Sequence, residues 1–304
     1  MPELPEVEIV RRGLEPVMVG ARFERVEQRR ADLRFPFPDG FARRLEGRVI
    51  TSVARRAKYL VVTLEDETVL FMHLGMSGRV SVEHAASQHM QTFGDYVYGT
   101  GAPSSRNEGG DLAKHDHVVF WLSNGAKIVY NDPRRFGFML LSTSSGLSAH
   151  PLFASLGVEP LGNGLDAVYL AAKAMGKRVD LKAFLLDQRI IAGLGNIYVS
   201  EALHRAQLSP HRLAGTLARA DGSPAKRAER LIPTIRAVLN AAIGAGGSSL
   251  KDYRHTDGTS GGFQHAFSVY GRGGEPCQRT GCGGTIQKTV QAGRATYACG
   301  ACQK

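Results

Sequence analysis

The chain has 304 residues, enough for two ordinary domains, and a hydrophobic content of 43% that suffices for packed cores and excludes a disordered chain. No apolar run reaches membrane-spanning length, and residues 1–30, punctuated by Glu3, Glu6, Arg11 and Arg12, hold no stretch of signal-peptide length. Against 28 Asp and Glu stand 38 Lys and Arg, giving a net charge of +10 and a pI near 9.6, which favours a polyanionic partner, nucleic acid foremost.

The first predicted element is a helix over 5–17, where Val7, Val10, Leu14 and Val17 recur at helical spacing and Pro5 suits the first turn. From there to residue 141 the pattern turns to strands. Tyr59–Leu64, Val69–His73, His117–Leu122 and Lys127–Tyr130 are rich in β-branched and aromatic residues and are broken by turns such as Ser123-Asn124-Gly125. An antiparallel β-sandwich with flanking helices is the expected architecture of this half. Residues 82–113, dominated by Gly, Ser, Asn and His, read as a long mobile loop, and 142–164, with Ser, Gly and Pro throughout, read as a linker. Helical period returns over Ala167–Met175, Leu181–Gln188, Ile197–Ala206 and Arg227–Ile243, so a mostly helical second domain is expected, ending near Gly244-Ala245-Gly246-Gly247. The chain is thus α+β.

Its four cysteines are Cys277, Cys282, Cys299 and Cys302, two close pairs separated by sixteen residues, the spacing of a zinc ribbon. Two disulfides are the competing reading; the absence of a signal-peptide-like run favours one structural zinc ion. From residue 251 the tail carries seven Lys and Arg against three Asp and Glu, and a basic, metal-stapled module suits a phosphate backbone. Gly193-Leu194-Gly195-Asn196 lies between two amphipathic segments. It reads as a tight helix hairpin in which Asn196 caps the second helix, or, with the ribbon, as a helix N-terminus that binds DNA phosphate.

The N-terminus admits two readings as well. Loss of Met1 before the small Pro2 would expose a secondary amine. Such an amine condenses with an aldehyde to an iminium that has no N–H to lose, stays cationic and acts as an electron sink. Glu3 and Glu6 would offer acid or base function nearby. The plainer alternative is that Pro2-Glu3-Leu4-Pro5-Glu6 is a good helix start, with carboxylates complementing the dipole.

Five ordered motifs bear on the choice: Met1-Pro2-Glu3-Leu4-Pro5-Glu6-Val7-Glu8, Arg56-Ala57-Lys58-Tyr59-Leu60, His73-Leu74-Gly75-Met76-Ser77-Gly78, Asp132-Pro133-Arg134-Arg135-Phe136-Gly137 and Gly195-Asn196-Ile197-Tyr198. The chain resembles the bacterial formamidopyrimidine-DNA glycosylases along nearly its whole length, with Arg294-Ala295-Thr296-Tyr297 before Cys299 fitting that family's zinc finger.

The resemblance implies a catalytic domain over 1–141 with an insertion at about 82–113, a linker at 142–164, a helix-two-turns-helix domain with the lesion-recognition loop over 165–262, and a β-hairpin zinc finger over 263–304. It implies a bifunctional DNA glycosylase and abasic-site lyase of base excision repair, acting on oxidised purines in duplex DNA. Pro2 corresponds to the nucleophile, Glu3 to the general acid, Glu6 to a supporting carboxylate and Lys58 to a catalytic lysine near phosphate and lesion. Met76, Arg134 and Phe136 match the residues that fill the void left by the extruded base. His73, Arg135, Asn196 and Arg294 match phosphate contacts, and Cys277, Cys282, Cys299 and Cys302 match the zinc ligands. Backbone amides across Tyr253–Phe263 correspond to the lesion reader; Lys182 and Glu201 fall in matching segments without an assigned role. A monomer in the bacterial cytoplasm, associated with the nucleoid through damaged double-stranded DNA and with no membrane, is expected.

Two departures stand out: the insertion at 82–113, expected to tolerate deletion, and the four-residue spacing of the first cysteine pair, where two is common. The rivals are an endonuclease VIII-like enzyme for oxidised pyrimidines and a noncatalytic damaged-DNA-binding protein.

Overall fold

The computed structural model describes residues 2–84, 90–93, 113–248 and 262–304. The chain packs as two units, residues 1–154 with 245–262, and residues 155–244 with 263–304.

The first unit is built on two antiparallel sheets. Strands β1 (Phe23–Gln28), β5 (Arg79–His84), β6 (Met90–Phe93), β7 (Asp116–Leu122) and β8 (Ala126–Asn131) make one, in the order β1-β7-β8-β5-β6. The other is β2-β3-β4-β9, from β2 (Ile50–Arg56), β3 (Tyr59–Leu64), β4 (Thr68–His73) and β9 (Phe138–Thr143). Inward residues of both sheets, among them Phe23, Leu60, Val62, Leu70, Phe120, Ile128 and Tyr130, share one core with helix α1 (Leu4–Met18). Val7, Val10, Leu14 and Val17, the residues whose spacing predicts this helix, are its buried face, and each such side chain contributes about 1.5–3 kcal/mol. A short helix, α2 (Phe41–Leu45), packs on β1.

Strands β3 and β4 are buried on both faces because the outer side is also covered. Phe153 of α3 (Pro151–Ala154) lies with its ring centroid 4.8 Å from that of Tyr59 and 5.1 Å from that of Phe71. Part of the segment read as linker is therefore core.

The reading of 82–113 as loop needs correction at its start. Strand β5 runs to His84, and Met90–Phe93 adds a further strand to it, in the register Val80↔Phe93 and Val82↔Gln91. Inward-facing Val80 and Val82 carry the strand past the point where polar composition suggests a break. Residues 85–89 and 94–112, the remainder of that expected insertion, lie outside the described residues.

The second unit packs α4 (Ala167–Ala174), α5 (Leu181–Leu186), α6 (Asn196–Arg205) and α7 (Lys226–Gly244) around Leu170, Leu185, Tyr198, Leu203, Leu231 and Val238. Its last part is a hairpin of β10 (Ile286–Gln291) and β11 (Arg294–Cys299). The two turn residues, Ala292 and Gly293, both have positive φ, the conformation that matches strand twist in a two-residue hairpin.

Candidate active site and zinc centre

At the head of α1, Pro2 is buried, as are Glu3 and Glu6, with 3% and 2% of their surfaces exposed. Glu3 is the N-cap residue, in extended conformation, and its N–H donates to Glu6 Oε2 at 2.8 Å, part of a capping box. The other Glu6 oxygen accepts from the backbone N–H and the hydroxyl of Ser248, both at 3.1 Å. Ser248 stands at one foot of the expected lesion loop; it bridges to Gly262 at the other foot, while 249–261 lie outside the described residues. Glu6 thus fixes both the helix start and the root of that loop. A Cβ on Gly247, whose φ is +86°, would lie 3.3 Å from Glu6 Oε1 and 3.2 Å from Ile9, so this approach needs glycine.

Lys58 occupies the tight turn between β2 and β3 and is only 8% exposed. Ala57 before it has φ +53°, a left-handed conformation that costs about 1–2 kcal/mol for a residue with a Cβ. The turn is held from outside: Arg55 donates Nη1 to the Ala57 carbonyl at 2.9 Å and Nε to Glu8 of α1 at 3.2 Å. Helix α1 and the hairpin turn are thereby coupled beside Lys58.

His73, at the end of β4, accepts the Gly75 N–H on Nδ1 at 2.9 Å, which leaves its hydrogen on Nε2. Its ring stacks on Phe138, with centroids 5.3 Å apart. Burial, then the positive charges of Lys58 and Arg34, hold its pKa at about 4 instead of 6.5. Because the folded value lies below the unfolded one, the unfolded chain gains protons first, and stability falls as pH drops from about 6.5 toward 4. Between pH 7 and pH 4.5 this group should cost about 2.5 kcal/mol. Unfolding free energies from urea titrations of the parent and His73→Gln at both pH values should differ in their acid loss by about that amount; equal losses would dismiss the effect.

Met76 and Phe136 are 40% and 43% exposed, unusual for large apolar side chains, and the Arg134 guanidinium lies 4.7 Å from the Phe136 ring centre. The two turns that carry them are joined by fully buried Asp132. Its Oδ1 accepts from Ser77 at 2.6 Å, and its Oδ2 accepts from the Gly137 N–H at 2.9 Å and from Tyr130 at 3.1 Å. A Cβ on Gly75, at φ +65°, would lie 2.3 Å from backbone atoms of Phe136 and Gly137. Arg135 holds the next turn position at φ +56° and lies 3.8 Å from Asp32.

In the second unit the helix-capping reading of Asn196 is corrected. Gly195 is the N-cap of α6, and Asn196, its first helical residue, donates Nδ2 to the Ala295 carbonyl of β11 at 3.0 Å. The hairpin draws this side chain away from its own helix end. Lys182, buried in α5, donates to the same carbonyl at 2.8 Å and to Thr296 Oγ1 at 2.6 Å, and Gln291 donates to Asp180 at 2.9 Å. Asn196, Lys182 and Asp180 therefore aim the hairpin that carries exposed Arg294. Glu201, fully buried, accepts the backbone N–H groups of Ser268, Val269 and Tyr270, each at 2.9 Å. Neither Lys182 nor Glu201 has a role legible in sequence, since their partners lie some 67 to 114 residues away.

The four cysteine sulfurs lie within 4.8 Å of one another, with Cys277–Cys302 at 3.9 Å and Cys282–Cys299 at 3.5 Å. These separations are far beyond a disulfide and close to the roughly 3.8 Å between sulfurs set tetrahedrally about zinc at about 2.3 Å. A Cβ on Gly284 would lie 2.6 Å from Cys299 Sγ, so the nest admits no side chain there. Burial and hydrogen bonds among the sulfurs push Cys302 up to about 12, whereas Cys299 falls to about 7 because amide and thiol hydrogen bonds outweigh its burial. Four sulfurs held this closely need a cation before all can ionise.

Sequence models of the formamidopyrimidine-DNA glycosylase N-terminal domain and H2TH domain match residues 1–139 and 156–254, and a model of the zinc finger found in FPG and IleRS matches 274–304. The chain belongs to the formamidopyrimidine-DNA glycosylase family. It is 60% identical to the formamidopyrimidine-DNA glycosylase of Beijerinckia indica over 304 residues and 58% identical to that of a Chelativorans species over 308, in both cases across the whole of each chain. Among solved structures it resembles a mutant of the Lactococcus lactis FPG in complex with Fapy-dG-containing DNA, with a TM-score of 0.79 and 32% identity over all of both chains. It also resembles the Thermus thermophilus MutM (FPG) protein, with a TM-score of 0.77 and 36% identity over 99% of this chain and 98% of that one. The glycosylase family fold, an enzyme class acting on N-glycosyl bonds in DNA, is thus built here with one structural zinc ion in its tail. Among the described residues no helix is long and apolar enough to cross a membrane.

Proposed function

We propose that this chain is a bifunctional glycosylase and abasic-site lyase that removes oxidised purines from duplex DNA, with Pro2 as its nucleophile. The observation that carries the reading is the buried head of α1, where Pro2 adjoins two buried carboxylates and the positive end of the helix dipole. That end disfavours protonation and keeps more of the amine nucleophilic. The Pro2 nitrogen attacks C1′, the glycosidic bond breaks, and the base leaves with the electron pair and takes up the proton that the amine sheds. Glu3 delivers a proton to the ring oxygen, the sugar opens, and the C1′–N bond becomes an iminium. Loss of a C2′ proton then drives out the 3′ phosphate, a second elimination drives out the 5′ phosphate, and water returns the amine. Lys58 and the Nε2–H of His73 supply donors for phosphate near the lesion, and Arg135, Asn196 and Arg294 grip the strand further out.

A base inside the stack is beyond reach, so Met76, Arg134 and Phe136 fill the gap it leaves: a pliable thioether, a guanidinium for the orphaned partner base, and a ring at the adjacent step. The solved relatives include Lactococcus lactis Fpg with abasic-site DNA and with oxidised-pyrimidine DNA. Excision of 8-oxoguanine opposite cytosine should therefore be compared with that of thymine glycol, the former expected to be faster. The enzyme is read as a cytoplasmic monomer held at the nucleoid by its substrate.

Borohydride reduction with abasic-site duplex should trap a covalent adduct, with the bond mapped to Pro2 of a chain that has lost Met1. No adduct, or an adduct at a lysine, would sink the reading.

A further inference from the structure

A buried histidine stands behind the zinc centre. His204, in the last turn of α6, is 4% exposed, and its Nε2 lies 3.4 Å from Cys277 Sγ. A zinc-bound Cys277 is a thiolate with no proton to give, so the hydrogen in this contact sits on Nε2 and the imidazole is the donor. Nδ1 is then an acceptor, and among the described residues it is buried without a hydrogen-bond partner. A buried group left in that state costs about 1–3 kcal/mol, so an apolar residue would be the more stable filling unless the Nε2–H matters.

The charge of the centre supplies the reason. Four thiolates outweigh one divalent cation and leave a doubly negative cluster, which N–H donors around the sulfurs stabilise. Cys299 receives the backbone N–H groups of Ala301 and Cys302, two amides from its short knuckle. On Cys277, in the long knuckle, the backbone amide of Arg279 acts in the same way. His204 adds an imidazole donor on this sulfur, at 3.4 Å.

The extra length of that knuckle also has a use. Arg279, within the four-residue spacing, donates Nη2 to the carbonyls of His204 at 2.8 Å and Arg205 at 3.3 Å. These sit at the C-terminal end of α6, where the dipole is negative; the His204 carbonyl also accepts the Gln207 N–H at 3.0 Å.

We propose that His204 is an outer-sphere residue of the zinc centre, donating Nε2–H to the Cys277 thiolate, and that the long Cys277–Cys282 knuckle, through Arg279, grips the helix end that aims it. The arrangement slows zinc loss and blunts the nucleophilicity of that sulfur. His204→Phe keeps an aromatic filling and removes the donor, whereas His204→Gln keeps an N–H. Zinc transfer to a chromophoric chelator should be about 10-fold faster for His204→Phe and within about threefold of the parent for His204→Gln. In the cobalt-substituted proteins the sulfur-to-metal charge-transfer band should move to lower energy for Phe and not for Gln, since an unbonded thiolate releases its electron more easily. In the unsubstituted chain loaded with cadmium-113, a measurement that requires no variant to fold, the imidazole Nε2 proton should show through-bond coupling to the metal. Coupling to backbone amide protons alone, or equal release rates and bands for Phe and the parent, would overturn the proposal.

Discussion

Pro2→Gly is expected to lower base excision and strand cleavage by at least about 100-fold, some 2.7 kcal/mol in the barrier, while leaving affinity for an abasic-site analogue within about threefold. Glycine still offers an amine once Met1 is removed, so the size of the loss rests on two differences. A primary amine gives an imine that must be protonated before it can draw electrons, whereas the proline adduct is cationic by constitution. The pyrrolidine ring also fixes φ and so fixes the nitrogen relative to Glu3, while glycine gives that restraint away. The proposed phosphate contacts, which would supply most of the affinity, lie elsewhere on the chain and should be untouched. Single-turnover cleavage of an 8-oxoguanine duplex and a titration with a tetrahydrofuran duplex separate the two quantities. A variant that loses binding and turnover together would place Pro2 in the scaffold instead of the chemistry.

Where apolar residues recur at helical spacing or gather in β-branched and aromatic runs, the fold was legible. The buried face of α1 declares itself by period, and the strands β3, β4, β7 and β8 by β-branched and aromatic content. Strand β1, Phe-Glu-Arg-Val-Glu-Gln, has only two buried residues, and β10 only one, so their patterns are those of solvated segments. Such strands form because a neighbour supplies the ladder, which no local window contains. The site divides along the same line. Pro2, Glu3 and Lys58 acquire meaning in sequence only through the ordered motifs around them, since each alone is an ordinary helix start or strand lysine. The groups that hold them, Ser248 on Glu6 across 242 residues and Arg55 on Glu8 across 47, are products of tertiary packing. The zinc ligands were the easiest to read, because metal spacing is a local property of two turns.

Asp132→Ala should destabilise the chain by about 3–5 kcal/mol, the range for removing one partner from a buried charged network. Three donors would be stranded: the Ser77 hydroxyl, the Gly137 N–H and the Tyr130 phenol, whose own ionisation burial and the Asp132 charge push well above its usual range. Asp132→Asn is the sharper test. It preserves volume but turns an N–H₂ toward donors, so at least one of the two turns must let go, and Arg134, whose N–H bonds Ser77 Oγ at 3.2 Å, is released with it. The Met76 and Phe136 side chains then lose the rigid base that the proposed entry into a base stack requires of them. Excision from duplex should fall by about 10–100-fold, the scale on which loosened positioning slows reactions. Borohydride capture on a single-stranded abasic oligonucleotide, which has no stack to invade, should hold near the parental rate. If Asn at this position processed duplex and single strand in the parental ratio, Asp132 would matter to stability alone, and the two turns would owe their function to something other than this shared carboxylate.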